Sequence, residues 1–166
     1  MAYRNKVYVA FDGDRDMKYY NLFSAWNNNE NFDFKFYNAH DLASSKDSSK
    51  EESIKHSLRE RFYNSKLFIL LIGDHTKLLT KFVKWEIETA IRLELPIICI
   101  NLNNSKTSDN LKPHSLDDYP CIFVPYQEKI INHAMKNWPD QFKKHKINGD
   151  HSDFYYPDKV YNDLGL

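Results

Sequence analysis

Two apolar runs frame this chain. Residues 67–72 (LFILLI) and 97–100 (IICI) are hydrophobic without alternation, the pattern of parallel strands covered on both faces. The first run ends at the turn pair Gly73-Asp74, and the second opens after Pro96. Between them, residues 80–94 repeat apolar positions at helical spacing. Phe82, Glu86, Ala90 and Leu93 fall on one stripe, with Val83, Ile87 and Ile91 beside it. Strand, helix and strand in that order predict a right-handed βαβ crossover.

The same rhythm continues on both sides. Residues 6–11 (KVYVAF) read as a first strand, and residues 16–26 as a helix with Tyr19, Tyr20, Phe23 and Trp26 inward. Residues 32–37 (FDFKFY) alternate almost strictly, as a strand at a sheet margin does. Ser49 with Glu52, or Ser48 with Glu51, forms a capping pattern that launches a helix to about Phe62. After a polar loop over 103–118, residues 121–124 give a last strand, cut by Pro125. A covering helix over 128–138 turns Ile131, Ala134, Met135 and Trp138 inward. From Pro139 onward the chain is polar apart from Phe154, Tyr155, Tyr156 and Tyr161, and a largely irregular tail packed on the domain is expected. The alternation predicts an α/β fold: a flavodoxin-like, doubly wound, five-stranded parallel sheet in the order 2-1-3-4-5.

Composition narrows the partners. A length of 166 residues suits one domain, 1–166, with a real core. Lys+Arg and Asp+Glu balance at 23 each, so no general attraction to nucleic acid or an acidic membrane follows. The basic run KKHK at 143–146 reads as solvated surface. No signal peptide or membrane-length apolar run is visible, and a cytoplasmic location is expected. Cys99 and Cys121 lie inside strand patterns and read as buried, reduced thiols. No ligand-spaced His/Cys cluster calls for a metal.

Doubly wound sheets bind ligands at the carboxyl ends of their strands. Phe11 and Asp12, His40 and Asp41, Gly73 and Asp74, and Asn101 or Asn103 stand there, with Glu86 on the helix behind. Glu86 is the odd residue, a carboxylate on an inward stripe. Either it rims the buried face, pairing with a Lys or complementing the helix dipole, or it is a functional carboxylate. The aspartates after the first strand are no calcium loop, because Met17 and Phe23 occupy the positions that need Gly and Glu. Acidic and poor in glycine, that turn also opposes a phosphate cradle, and with it a flavin site. A phosphoacceptor reading finds Asp12, Asp14 and Asp74 but no Lys after the last strand, where Val124-Pro125-Tyr126 stands. A third reading is a nucleotide attacked at its sugar rather than its phosphate.

The segments KVYVAFDGD, FYNAHDL and LFILLIGDHTKLLTKFVKWEIETAI resemble a bacterial TIR-like domain, and most closely the TIR-like proteins of Thoeris-type antiphage defence. The likeness covers most of residues 6–102. Enzymatic members carry W-x-x-x-E on the helix after the third strand, with a catalytic Glu. Here that motif is Phe82-Val83-Lys84-Trp85-Glu86: the acid is kept, Phe82 stands at the Trp position, and Trp85 is an added aromatic. Thr80 matches the small hydroxyl residue that often precedes the motif. The resemblance implies cleavage of NAD at the nicotinamide–ribose bond, with Glu86 catalytic and no metal. The product would be an ADP-ribose-type signalling nucleotide, linear or cyclic. It further implies that Phe11 and Trp85 stack on rings and that Asp12 or Asp41 holds hydroxyls. A homo-oligomer or a phage-derived activator is an expected partner. The alternative implied by the same family is a non-catalytic interaction or nucleotide-binding module with a structural Glu86.

Overall fold

The computed structural model describes residues 6–27, 35–37 and 51–166. Six strands, β1 (Lys6–Ala10), β2 (Lys35–Tyr37), β3 (Ser65–Ile72), β4 (Ile97–Asn101), β5 (Cys121–Pro125) and β6 (Asp153–Tyr155), form one sheet in the order β2-β1-β3-β4-β5-β6. Every neighbouring pair is parallel. The helices are α1 (Met17–Asn27), α2 (Glu51–Asn64), α3 (Val83–Arg92), α4 (Glu128–Ile147) and α5 (Asp158–Asp163). Strands β3, β4 and β5 are buried along almost their whole length. Their unalternated apolar sequences follow from helices covering both faces. One cluster of buried side chains runs from Val7 to Tyr161, and both cysteines are free and buried within it. Among the described residues no helix is long and apolar enough to cross a membrane.

Strand β1 divides its residues between the two layers. Phe11, just past its end, stacks on Tyr20 of α1 at 4.6 Å. Tyr8, of opposite parity, stacks on Phe62 of α2 at 3.8 Å and lies 5.7 Å from Phe68 of β3. Helix α1 therefore covers one face beside β1, and α2 the other.

The chain after Pro139 departs from expectation. It is not an irregular tail: α4 runs through Pro139 to Ile147, β6 adds a sixth strand beside β5, and α5 closes the chain. Proline in a helix interior gives up the N–H bond to residue i−4 and costs about 3 kcal/mol. The apolar stripe explains why the helix continues. Met135, Trp138 and Phe142 are all buried at helical spacing on both sides of Pro139. Burying a Phe contributes about 1.5–3 kcal/mol, and His145, one turn further on, stacks on Phe154 of β6 at 3.8 Å. Lys144, His145 and Lys146 of the basic run occupy the last turn, where cations complement the helix dipole.

Candidate active site

Between the end of β1 and the start of α3 lies a pocket of about 380 Å³, within the usual range for small-molecule sites. Strand β1 connects outward to β2 on one side and pairs with β3 on the other, so the pocket sits at the reversal of strand order where such sheets bind ligands. One wall is Phe11 with the turn Asp12, Gly13 and Asp14. The other is the segment from Leu78 to Phe82, which comes off the short 3-10 turn Thr76–Leu78. Helix α3 starts later than its periodicity suggests. Phe82 caps it, which leaves Thr80 and Phe82 outside the helix as pocket wall. Two tethers hold that wall. Thr76 Oγ1 accepts the Gly73 N–H at 2.9 Å, and Lys77 Nζ donates to the Asn110 carbonyl at 2.6 Å.

Glu86, in the first turn of α3, also lines the pocket and is only 5% exposed. Its Oε2 accepts a hydrogen bond from the Tyr8 hydroxyl at 2.5 Å. Burial pushes its carboxyl up from 4.5 to about 8, opposed by the Tyr8 bond, which favours the charged form. Glu86 is therefore mostly protonated at neutral pH. Tyr8 is pushed well above the usual phenol value, first by burial and then by the carboxylate it faces.

The acidic turn is built separately. Asp12 is buried and its Oδ1 accepts the Asp14 N–H at 3.0 Å. Asp16 behind it is buried as well, and its Oδ2 has no hydrogen-bond partner among the described residues. Burial first, then the Asp12 and Asp74 charges, raise its pKa. Gly73 packs close beside it: a Cβ there would stand 2.4 Å from Asp16 Oδ2 and would push the Asp16 side chain aside. Among the described residues no group of three or more His, Cys, Asp or Glu could hold a metal.

Three of the expected site residues, Phe11, Asp12 and Glu86, meet in the pocket. Trp85 does not line it. One residue from Glu86 on the helix, it is turned about 100° away, 6.0 Å from the Phe62 ring and under Lys55 and Arg59 of α2. Asp41 and His40 lie outside the described residues. Gly73, Asp74, Asn101 and Asn103 are not in the pocket wall. Asn101 instead donates to the Ser105 and Thr107 carbonyls at 3.0 and 2.9 Å, bracing the loop after β4. Tyr8 was not legible as a site residue. The one signal was a hydroxyl-bearing ring in a strand otherwise fit for aliphatic side chains.

The family model of the Thoeris protein ThsB, TIR-like domain, matches residues 8–107, more than half of the chain. The chain belongs to this family. The ThsB TIR-like match takes in the end of β1 from Tyr8, the pocket and all of α3, including the Phe82–Glu86 motif. Strand β5, α4, β6 and α5 lie beyond it.

Proposed function

We propose that this domain cleaves NAD at the nicotinamide–ribose bond in antiphage defence, releasing nicotinamide and an ADP-ribose-type nucleotide. The observation that carries this reading is a buried carboxylate, Glu86, opening onto a pocket that also holds Phe11, Asp12, Thr80 and Phe82. When the bond breaks, its electron pair leaves with nicotinamide, which becomes neutral, and the ribose carbon becomes an oxocarbenium-like cation. Ionised Glu86 accepts the ribose hydroxyls and offsets that charge. Phe11 and Phe82 offer ring faces to the base. Asp12, with Asp41 beyond the described residues, holds hydroxyls. Water or a nucleophile of the same molecule then traps the cation, giving a linear or cyclic product.

The raised pKa of Glu86 fits a charged substrate. NAD carries its positive charge on the nicotinamide ring, next to the sugar. A cation docked beside a buried carboxyl favours the ionised form, so binding drives the proton off Glu86 and creates the charge that the reaction uses. Without that cation Glu86 keeps its proton. A homo-oligomer or a phage-derived activator completes the pocket and triggers turnover in this scheme. A second reading, a non-catalytic interaction module, draws on Phe82 at the family's Trp position and on the Tyr8 bond, which satisfies Glu86 internally.

The experiment incubates wild type and Glu86→Gln with NAD, with and without extract from phage-infected cells, and separates the products by chromatography. Nicotinamide from wild type, reduced on the order of 10²–10³-fold in a folded Gln variant, is the expected result. An equally active Glu86→Gln removes the catalytic role. A folded wild type inert under every activation condition favours the module.

A further inference from the structure

Among the described residues, Tyr8 touches the central carboxylate but is left unused by the pocket chemistry. It is fully buried and does not line the pocket, so it meets no ligand there. Its ring is fixed by stacking on Phe62 at 3.8 Å and 15°, and by Phe68 on the neighbouring strand. These contacts come from α2 and β3, so two elements of the core besides its own strand set the hydroxyl direction. That hydroxyl ends 2.5 Å from Glu86 Oε2. A hydrogen bond from this hydroxyl becomes charge-assisted, and so stronger, when Glu86 is ionised.

We propose that Tyr8 is a positioning residue for Glu86: held from behind by the core, its phenol fixes one carboxylate oxygen and steadies the ionised form that the pocket needs. The effect on activity rests on the NAD-cleaving reading of the same site. The hold on Glu86 does not. Other charged groups face the neighbourhood from each packed element. Arg61 of α2 acts on the Tyr8 phenol, while Asp12, Asp14 and Lys81 line the pocket that Glu86 opens onto. Lys81 is drawn toward Glu51 of α2, at 3.4 Å. Burial and the Tyr8 bond are the causes that set the Glu86 carboxyl, which leaves Tyr8 as the side chain through which its protonation is tuned.

The test changes the donor in both directions. Tyr8→Phe keeps the ring and its stacking and removes only the hydroxyl. Fluorotyrosine at position 8 keeps the whole side chain and makes it a stronger donor. The Glu86 carboxyl carbon is followed by NMR from pH 5 to 10, its signal assigned by its loss in Glu86→Gln. The expected midpoint rises by about one to two pH units in Tyr8→Phe and falls with fluorotyrosine. Thermal melts show whether Tyr8→Phe is folded, and the fluorotyrosine protein carries the test if it is not. A midpoint unmoved by the changes overturns the proposal. Nicotinamide release is read in parallel: the ascending limb of kcat/KM against pH, which reports the free enzyme, moves with the midpoint, while KM for NAD measured at a pH above every midpoint stays within about twofold, since Tyr8 does not reach the pocket. A shifted midpoint with an unshifted rate profile also overturns the positioning role. If no variant, wild type included, releases nicotinamide but the midpoint moves, Tyr8 still holds Glu86, and it is the NAD reading that fails.

Discussion

Two clusters of ionisable groups, one buried and one half-buried, stand toward opposite ends of this sheet. At the β1 end, Glu86 meets one neutral hydroxyl, Tyr8, and its carboxyl rises to about 8. At the β6 end, Lys112 meets Asp153 at 2.8 Å and Asp117 at 3.6 Å. Ser108 donates to the other Asp153 oxygen at 2.8 Å and lies 3.0 Å from the Tyr155 hydroxyl. Burial works to lower the Lys112 pKa, but the hydrogen bond and charge of Asp153, with Asp117, carry it above its usual value. One cluster holds a half-buried charge against its partners. The other buries an acid whose hydrogen-bond partner among the described residues is a phenol, beside a pocket. Structural ion pairs tie elements together, here the loop after β4 to the edge strand. An uncompensated carboxyl is costly to ionise and makes sense where a cationic ligand supplies the missing charge.

The difference is expected to show most strongly in stability against pH. The Glu86 carboxyl titrates near 8 in the folded chain and near 4.5 in its ordinary state. Between those values the folded protein keeps a proton that the unfolded chain has released, so stability falls as pH rises through that window and levels off above it. At about 1.4 kcal/mol per unit the loss amounts to a few kcal/mol. Denaturant titrations from pH 5 to 9 are expected to give this slope in wild type and a clearly flatter one in Glu86→Gln, with the variant the more stable of the two at pH 9. Lys112→Met leaves the slope in place and lowers stability by about 1–2 kcal/mol at every neutral pH, because Asp153 loses a charged hydrogen bond. A flat wild-type profile breaks the contrast.

A smaller effect sharpens it within the motif. Trp85 packs on α2 and Phe82 lines the pocket. Trp85→Leu is expected to cost about 1 kcal/mol or less through its lost cation contacts and to leave KM for NAD unchanged. Phe82→Ala raises KM several-fold. The reverse order of effects returns Trp85 to the ligand.

Much of the pocket end was readable in advance, because the two unalternated strands and the crossover helix between them leave one charged residue, Glu86, on an apolar stripe. Helical periodicity alone placed the start of α3 too early. It does not register that the backbone from Thr80 to Phe82 is held outside the helix as a wall, or that Trp85 turns toward α2. The β6 end was misread for a different reason. Pro139 and the polar run after it argue locally against a helix, and the compensation comes from buried Phe142 and half-buried Phe154, packing that only the folded chain provides. The Tyr8 bond joins residues 78 positions apart, a distance at which no local pattern speaks.

The central claim is that Glu86 rests neutral and is ionised by the positive charge of its substrate. Calorimetric binding of the carbocyclic analogue of NAD, which keeps the nicotinamide cation but resists cleavage, tests it most directly. Measured at pH 7 in buffers of different ionisation enthalpy, wild type is expected to release close to one proton per molecule bound, and Glu86→Gln to release none. Binding by wild type without proton release, or with the same release in Glu86→Gln, would contradict the account.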